Sequence, residues 1–255
     1  MKKHFILAML IAFTAISCNK DDSLPETPPK KILLARTSTT YTNDGSTVIT
    51  EYRYDEKGRI VSELKNKGTA KEHLITYSYD NKDNIAVQKF PNSGNLRTEY
   101  TYDNQNRMTS SQKYATDGSK DGKSTYTYYE DRIEEVLTSK AGFNTKRQFR
   151  YTANKEDIAN FKIYYGDGKL LLDQTYTHST IKNPLRIVNP LTPYNGSTHL
   201  IEKTVVVDYY DGPANPDNYN YNFKIVANAN GYPASVTETL EGVLQATTTY
   251  EYSTK

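Results

Sequence analysis

Residues 52–60 read YRYDEKGRI, residues 77–85 read YSYDNKDNI, and residues 100–108 read YTYDNQNRM. Nearly the same nine residues recur about two dozen residues apart. On a β-strand, residues i and i+2 share a face. Tyr52 and Tyr54 therefore point one way and Arg53 the other; the pairs Tyr77/Tyr79 and Tyr100/Tyr102 repeat the arrangement. Asp55, Asp80 and Asp103 stand where each strand ends, as acceptors for the amides of a turn. Gly58, Asp83-Asn84 and Asn106 supply residues that tolerate the left-handed conformation. An apolar residue (Ile60, Ile85 or Met108) then opens a return strand. Each unit is predicted to be a β-hairpin.

The period decays but persists. YTYYEDRI at 126–133, FRYTANKEDI at 149–158 and IYYGDGKL at 163–170 keep the frame, and Thr175–Leu185 is a further candidate unit. Near the end Gly231 aligns with Gly58, and TTYEY at 248–252 is a last strand. Fixed-period similarity of this kind marks a repeat architecture, and helix signals are almost absent. The predicted fold is all-β: a long antiparallel meander of repeated hairpins, forming a curved or partly rolled sheet with tyrosines along its inner face. Eight or nine hairpins are expected to enclose little, leaving open edges.

Composition agrees with an open β structure. Of the 255 residues 36% are hydrophobic, with 23 tyrosines and no tryptophan, so much of any buried face must be tyrosine rings. If Lys2 and Lys3 leave with a signal peptide, the 32 basic residues become 30, against 30 acidic. That balance excludes the clustered basic surplus that nucleic acid requires.

The N-terminus is an address. Lys2 and Lys3 precede nine apolar residues, Phe5 to Phe13, far short of the roughly 20 that span a bilayer as a helix. Residues 1–17 are predicted to be a signal peptide. Ala15-Ile16-Ser17-Cys18 resembles a bacterial lipobox, which implies lipidation of Cys18, the one cysteine in the chain. The following NKDD resembles the acidic export signal of Bacteroidetes surface lipoproteins, implying an outer-membrane, lipid-anchored protein exposed on the cell surface. Residues 18–31 include three prolines and form an extended tether. Residues 32–255 are expected to form one domain.

The nonamers resemble the YD repeats of Rhs-type and teneurin-type proteins, whose hairpins carry YDxxGRL. Tyr54, Asp55, Gly58 and Arg59 match best; Tyr79-Asp80 and Tyr102-Asp103 keep the YD pair without the glycine. The whole chain resembles Bacteroidetes lipoproteins built from degenerate YD-like hairpins.

Chemistry-bearing motifs are sparse. His73, His178 and His199 lie far apart without ligand spacing, so no metal is expected. There is no nucleophile motif and no glycine-rich nucleotide loop, so neither catalysis nor a cofactor is expected. The acidic loops at 117–122 and 211–218 lack the spacing of a calcium loop and read as turns. Glu134 and Glu135 are adjacent and so face opposite sides of a strand.

Insertions break the period at about 181–199 and 211–221. Tyr194, Tyr209, Tyr210, Tyr219 and Tyr221 lie in or beside them as candidates for a sugar-stacking platform; the competing reading makes them strand tyrosines packed on neighbours. The expected function is a non-catalytic binding module for glycans. The alternative is an envelope protein that docks a protein partner, through a sheet edge or face, with no small ligand.

Overall fold

The computed structural model describes residues 30–142, 144–188, 196–210, 212 and 216–255, the side chain of Ile187 excepted. The signal peptide, Cys18, most of the tether and Tyr194 lie outside them. Lys31–Lys255 forms one compact unit. Its strands are β1 (Ile32–Tyr41), β2 (Thr47–Tyr54), β3 (Ile60–Lys65), β4 (His73–Tyr79), β5 (Ile85–Lys89), β6 (Arg97–Tyr102), β7 (Met108–Tyr114) and β8 (Lys120–Tyr128). They continue as β9 (Arg132–Ser139), β10 (Asn144–Tyr151), β11 (Ile158–Tyr165), β12 (Leu170–Lys182), β13 (His199–Asp208), β14 (Asp217–Ala227), β15 (Pro233–Leu240) and β16 (Val243–Thr254). One short helix, α1 (Leu185–Val188), lies between β12 and β13.

Every strand pairs antiparallel with its sequence neighbours, and β1 pairs with β16 from Ile32↔Thr254 to Tyr41↔Ala246. The meander therefore closes into a barrel. The expectation of a partly rolled sheet with free edges is corrected on this point, because eight hairpins suffice once the first and last strands meet. Closure removes the unpaired edges that an open sheet must protect.

The YD turns share one end of the barrel with the two chain ends of the unit. In each, the aspartate side chain caps the turn: Asp55 Oδ1 accepts from the Arg59 amide at 2.9 Å, Asp80 Oδ1 from Asn84 at 2.9 Å, and Asp103 Oδ1 from Arg107 at 2.9 Å. One residue per turn is left-handed: Gly58 (φ 72°), Asp83 (φ 65°), Asn106 (φ 60°) and Gly231 (φ 76°).

The second tyrosine of the motif has a repeated role. Tyr54, Tyr79, Tyr102, Tyr128 and Tyr252 donate their hydroxyls to the backbone carbonyls of Leu34, Ile60, Ile85, Met108 and Pro233. The distances run from 2.6 to 3.0 Å. Each acceptor immediately precedes an unpaired extra residue in its strand: Ala35, Val61, Ala86, Thr109 and Ala234. The seams so joined, such as β3/β4, are connected covalently only at the far end. The tyrosines pin their unconnected ends while burying their rings, which suits a side chain with an apolar body and a polar tip. Arg59 and Arg107 stack over the rings of Tyr79 and Tyr128, 4.2 and 4.9 Å from the centroids.

Inward-facing Leu34, Ile60, Ile85 and Met108 are buried and pack with Val188 and the motif tyrosines. Ile133, Phe149, Ile158 and Phe161 form a second buried cluster. The outward phase of the same strands is largely polar, with apolar exceptions such as Leu64, Val87 and Val136. β10 presents Lys146, Gln148 and Arg150 outward, while Phe149, one residue away, is 1% exposed. Ion pairs cross the outer wall: Glu51–Lys67 at 2.6 Å, Lys146–Glu134 at 3.3 Å and Lys162–Asp173 at 2.8 Å.

Candidate functional site

The regular turn is replaced once at the YD end, between β12 and β13. The described parts of this connection, residues 183–188 and 196–198, pack toward the lumen. Asn183 Oδ1 accepts from the Leu185 amide at 3.0 Å, which starts α1 directly after Pro184. Val188 is 1% exposed and belongs to the lumenal core beside Leu34 and Ile60. Ser197 is buried, and its hydroxyl accepts from the Ile158 amide at 3.0 Å. The apolar residues of this insertion thus anchor it inward.

Between the insertion and the wall formed by β14–β16 lies a chamber of about 260 Å³. The wall contributes Phe223, Val236, Glu238, Thr248 and Tyr250; the insertion side contributes Asn183, Leu185, Ser197 and His199–Ile201. The wall residues share the lumenal phase, since Phe223 pairs across the ladder with Glu238 and Val236 with Thr248. Opposite Glu238 on its other side is Ala246, which is buried. Burial pushes the Tyr250 phenol up to about 12 and raises the Glu238 carboxyl above its ordinary value.

His199 stands at the chamber's edge. Asp157 accepts from its backbone amide at 2.9 Å and pairs with its Nδ1 at 3.0 Å. Burial alone would raise the Asp157 carboxyl, but these contacts outweigh it and hold it below the usual range. His178 carries a buried Nε2 with no partner, and burial lowers its pKa.

Three carboxylates among the described residues are buried, and each is partnered. Glu63 accepts from the Tyr77 hydroxyl and pairs with Lys65 at 3.3 Å. Glu135 accepts from Ser124 at 2.6 Å, Tyr126 at 3.2 Å and Arg147 at 3.3 Å. Asp157 is held by His199. Glu238 differs: it has no hydrogen bond and no ion pair among the described residues, and burial is the one influence on its charge.

Of the tyrosines singled out from sequence, Tyr194 lies outside the described residues and the other four sit on two elements. Tyr219 and Tyr221 lie on the lumenal phase of β14, opposite Val206 and Thr204. Tyr209 and Tyr210 lie on the β13–β14 connection at the far end, where Tyr210 is 75% exposed. The chamber's own residues were overlooked in the sequence, although one signal was present. In Val236-Thr237-Glu238-Thr239-Leu240 an acid occupies the apolar phase of a strand.

No protein-family model and no curated protein matches the chain. Among solved structures it is similar to two described as porin-like proteins. One, from Bacteroides uniformis ATCC 8492, is 14% identical with a TM-score of 0.57, covering 86% of this chain and 96% of its own. The other, from Bacteroides vulgatus ATCC 8482, is 10% identical with a TM-score of 0.59, covering 88% of this chain and 99% of its own. At these identities the likeness establishes the fold.

Proposed function

We propose that this chain is a non-catalytic binding module of the bacterial outer envelope, a closed barrel that stands in water and is tethered by lipid at Cys18. The chamber beneath the β12–β13 insertion is its ligand site, and that half-open, aromatic-lined space is the observation that carries the reading. It combines two aromatic rings, Phe223 and Tyr250, with the Glu238 carboxylate and the Thr248 hydroxyl. A few polar groups set in a largely apolar lining are the usual composition of a small-ligand site. Rings for stacking and hydroxyls for bonding suit a single sugar ring, such as the end of a glycan.

The outer wall supports the tether over a membrane-spanning role. A spanning barrel needs an apolar outer band and strands of about 9–11 residues. Here Lys, Arg, Glu and Asn are interspersed with outward Leu64, Leu74, Val87, Val136, Val205 and Val207, and β5 has 5 residues and β6 has 6. No described helix is long and apolar enough to cross a membrane, which by itself says nothing of strands. The docking alternative loses its edge route because β1 and β16 are paired.

Calorimetric titration of the full chain with monosaccharides tests the reading. Saturable binding abolished by filling the chamber, with Val236→Phe in a variant that retains its melting transition, is the expected result. Binding that survives in such a variant places the site elsewhere.

A further inference from the structure

We infer that Glu238 is the anchor for the ammonium group of a small ligand held in the lumenal chamber. The inference rests on the reading of that chamber as the ligand site and adds the chemical class that it takes. Every buried acid among the described residues has donors within reach, and two of the three also have a cation. Glu63 has Tyr77 and Lys65; Glu135 has Ser124, Tyr126 and Arg147; Asp157 has His199. The fold therefore supplies partners where it buries a carboxylate for its own purposes. At Glu238, half-buried in the chamber wall, it supplies none among the described residues.

A half-buried carboxylate with no donor from its own fold is open to a donor that a ligand brings. The strongest completion is a charge-assisted hydrogen bond from a cation. The neighbouring surfaces fit the rest of such a ligand. Phe223 lies directly across the ladder from Glu238, and Tyr250 lines the same space. Aromatic rings attract an ammonium by their faces and equally accept the apolar face of a sugar ring. The chamber, about 260 Å³ and half open, has room for one ring or a short alkyl amine. Two kinds of molecule carry this chemistry, amino sugars and simple alkylamines.

The test is calorimetry on the full chain in a non-ionic detergent, titrated with glucosamine, N-acetylglucosamine, glucose and 1,4-diaminobutane. Glucosamine or the diamine should bind saturably, and at least about tenfold tighter than the two uncharged sugars, the scale of a charged hydrogen bond. Whichever of the two amines binds tighter identifies the source. Glu238→Gln should remove that preference, while Glu251→Gln, a carboxylate on the outer wall, should not. The comparison of glucosamine with N-acetylglucosamine needs no variant, so it stands even if Glu238→Gln fails to fold. Equal binding of charged and uncharged sugars overturns the anchor and leaves the chamber reading intact. No binding of any of the four overturns both.

Discussion

The Tyr79 hydroxyl donates to the Ile60 carbonyl at 2.6 Å, across a seam that no turn closes at that end of the barrel. The same relationship recurs at Tyr54, Tyr102, Tyr128 and Tyr252, and it explains why the motif conserves its tyrosine spacing from unit to unit. Replacing Tyr79 by Phe keeps the ring, its burial and the Arg59 stacking, and deletes the hydroxyl alone. The net value of such a bond is about 1 kcal/mol, rising toward roughly 3 if the carbonyl is left dry. Urea denaturation should register a loss in that range. An unchanged midpoint would mean that the bond is ornamental and that ring burial alone explains the repeat.

Gly58 is expected to resist substitution for two separate reasons. Its φ of 72° disfavours any Cβ, and a Cβ built there would meet Lys31 Nζ at 3.0 Å. Gly45 has a similar φ, 67°, but open space around it. Gly→Ala at a left-handed position costs about 1 kcal/mol through the backbone. Gly58→Ala should therefore lower the thermal midpoint at least as far as Gly45→Ala. The reverse order would show that the Lys31 contact yields without cost.

The buried phenols predict alkaline sensitivity. Burial pushes Tyr52, Tyr79, Tyr126, Tyr128 and Tyr250 each up to about 12, from an ordinary value of 10.0. Below pH 10 both folded and unfolded chains keep these protons. Above it the unfolded chain releases them and the folded barrel does not, so stability falls as pH rises from about 10 toward 12. Tyrosinate absorbance should therefore rise together with loss of the circular dichroism of the sheet. Smooth ionisation with the sheet intact would show that these rings reach water.

The hairpins, their turns and the inward tyrosines were legible because each follows from a local rule: period-two alternation, an aspartate acceptor and a residue able to turn left-handed. Closure was not legible. It depends on the summed twist and bulges of sixteen strands, and on Ile32 meeting Thr254 at opposite ends of the unit. The chamber was hidden for a related reason. Phe223, Glu238 and Tyr250 come from three strands, and their common phase acquires meaning only once β12–β13 is seen to fold inward over them. The tyrosines of the two insertions drew attention by density, yet Tyr219 and Tyr221 obey the same inward alternation as Tyr52 and Tyr54.

The two faces of β10 offer the sharpest test of what surrounds the barrel. Phe149 is 1% exposed on the lumenal phase, with its ring 4.9 Å from that of Phe161. Lys146 is on the outward phase, paired with Glu134 at 3.3 Å. In a barrel that stands in water, Phe149→Ala should cost about 3–5 kcal/mol through lost burial and the cavity left behind. Lys146→Ala should change stability by no more than about 0.5–1 kcal/mol, the worth of an exposed ion pair. In a barrel that crosses a bilayer the second result would invert. A lysine facing lipid near the midplane costs about 2–4 kcal/mol, so its removal would stabilise the protein in membranes. Denaturation of both variants without detergent, and again in vesicles, separates the two cases. A marked gain for Lys146→Ala confined to vesicles would place the wall in lipid and overturn the tethered barrel.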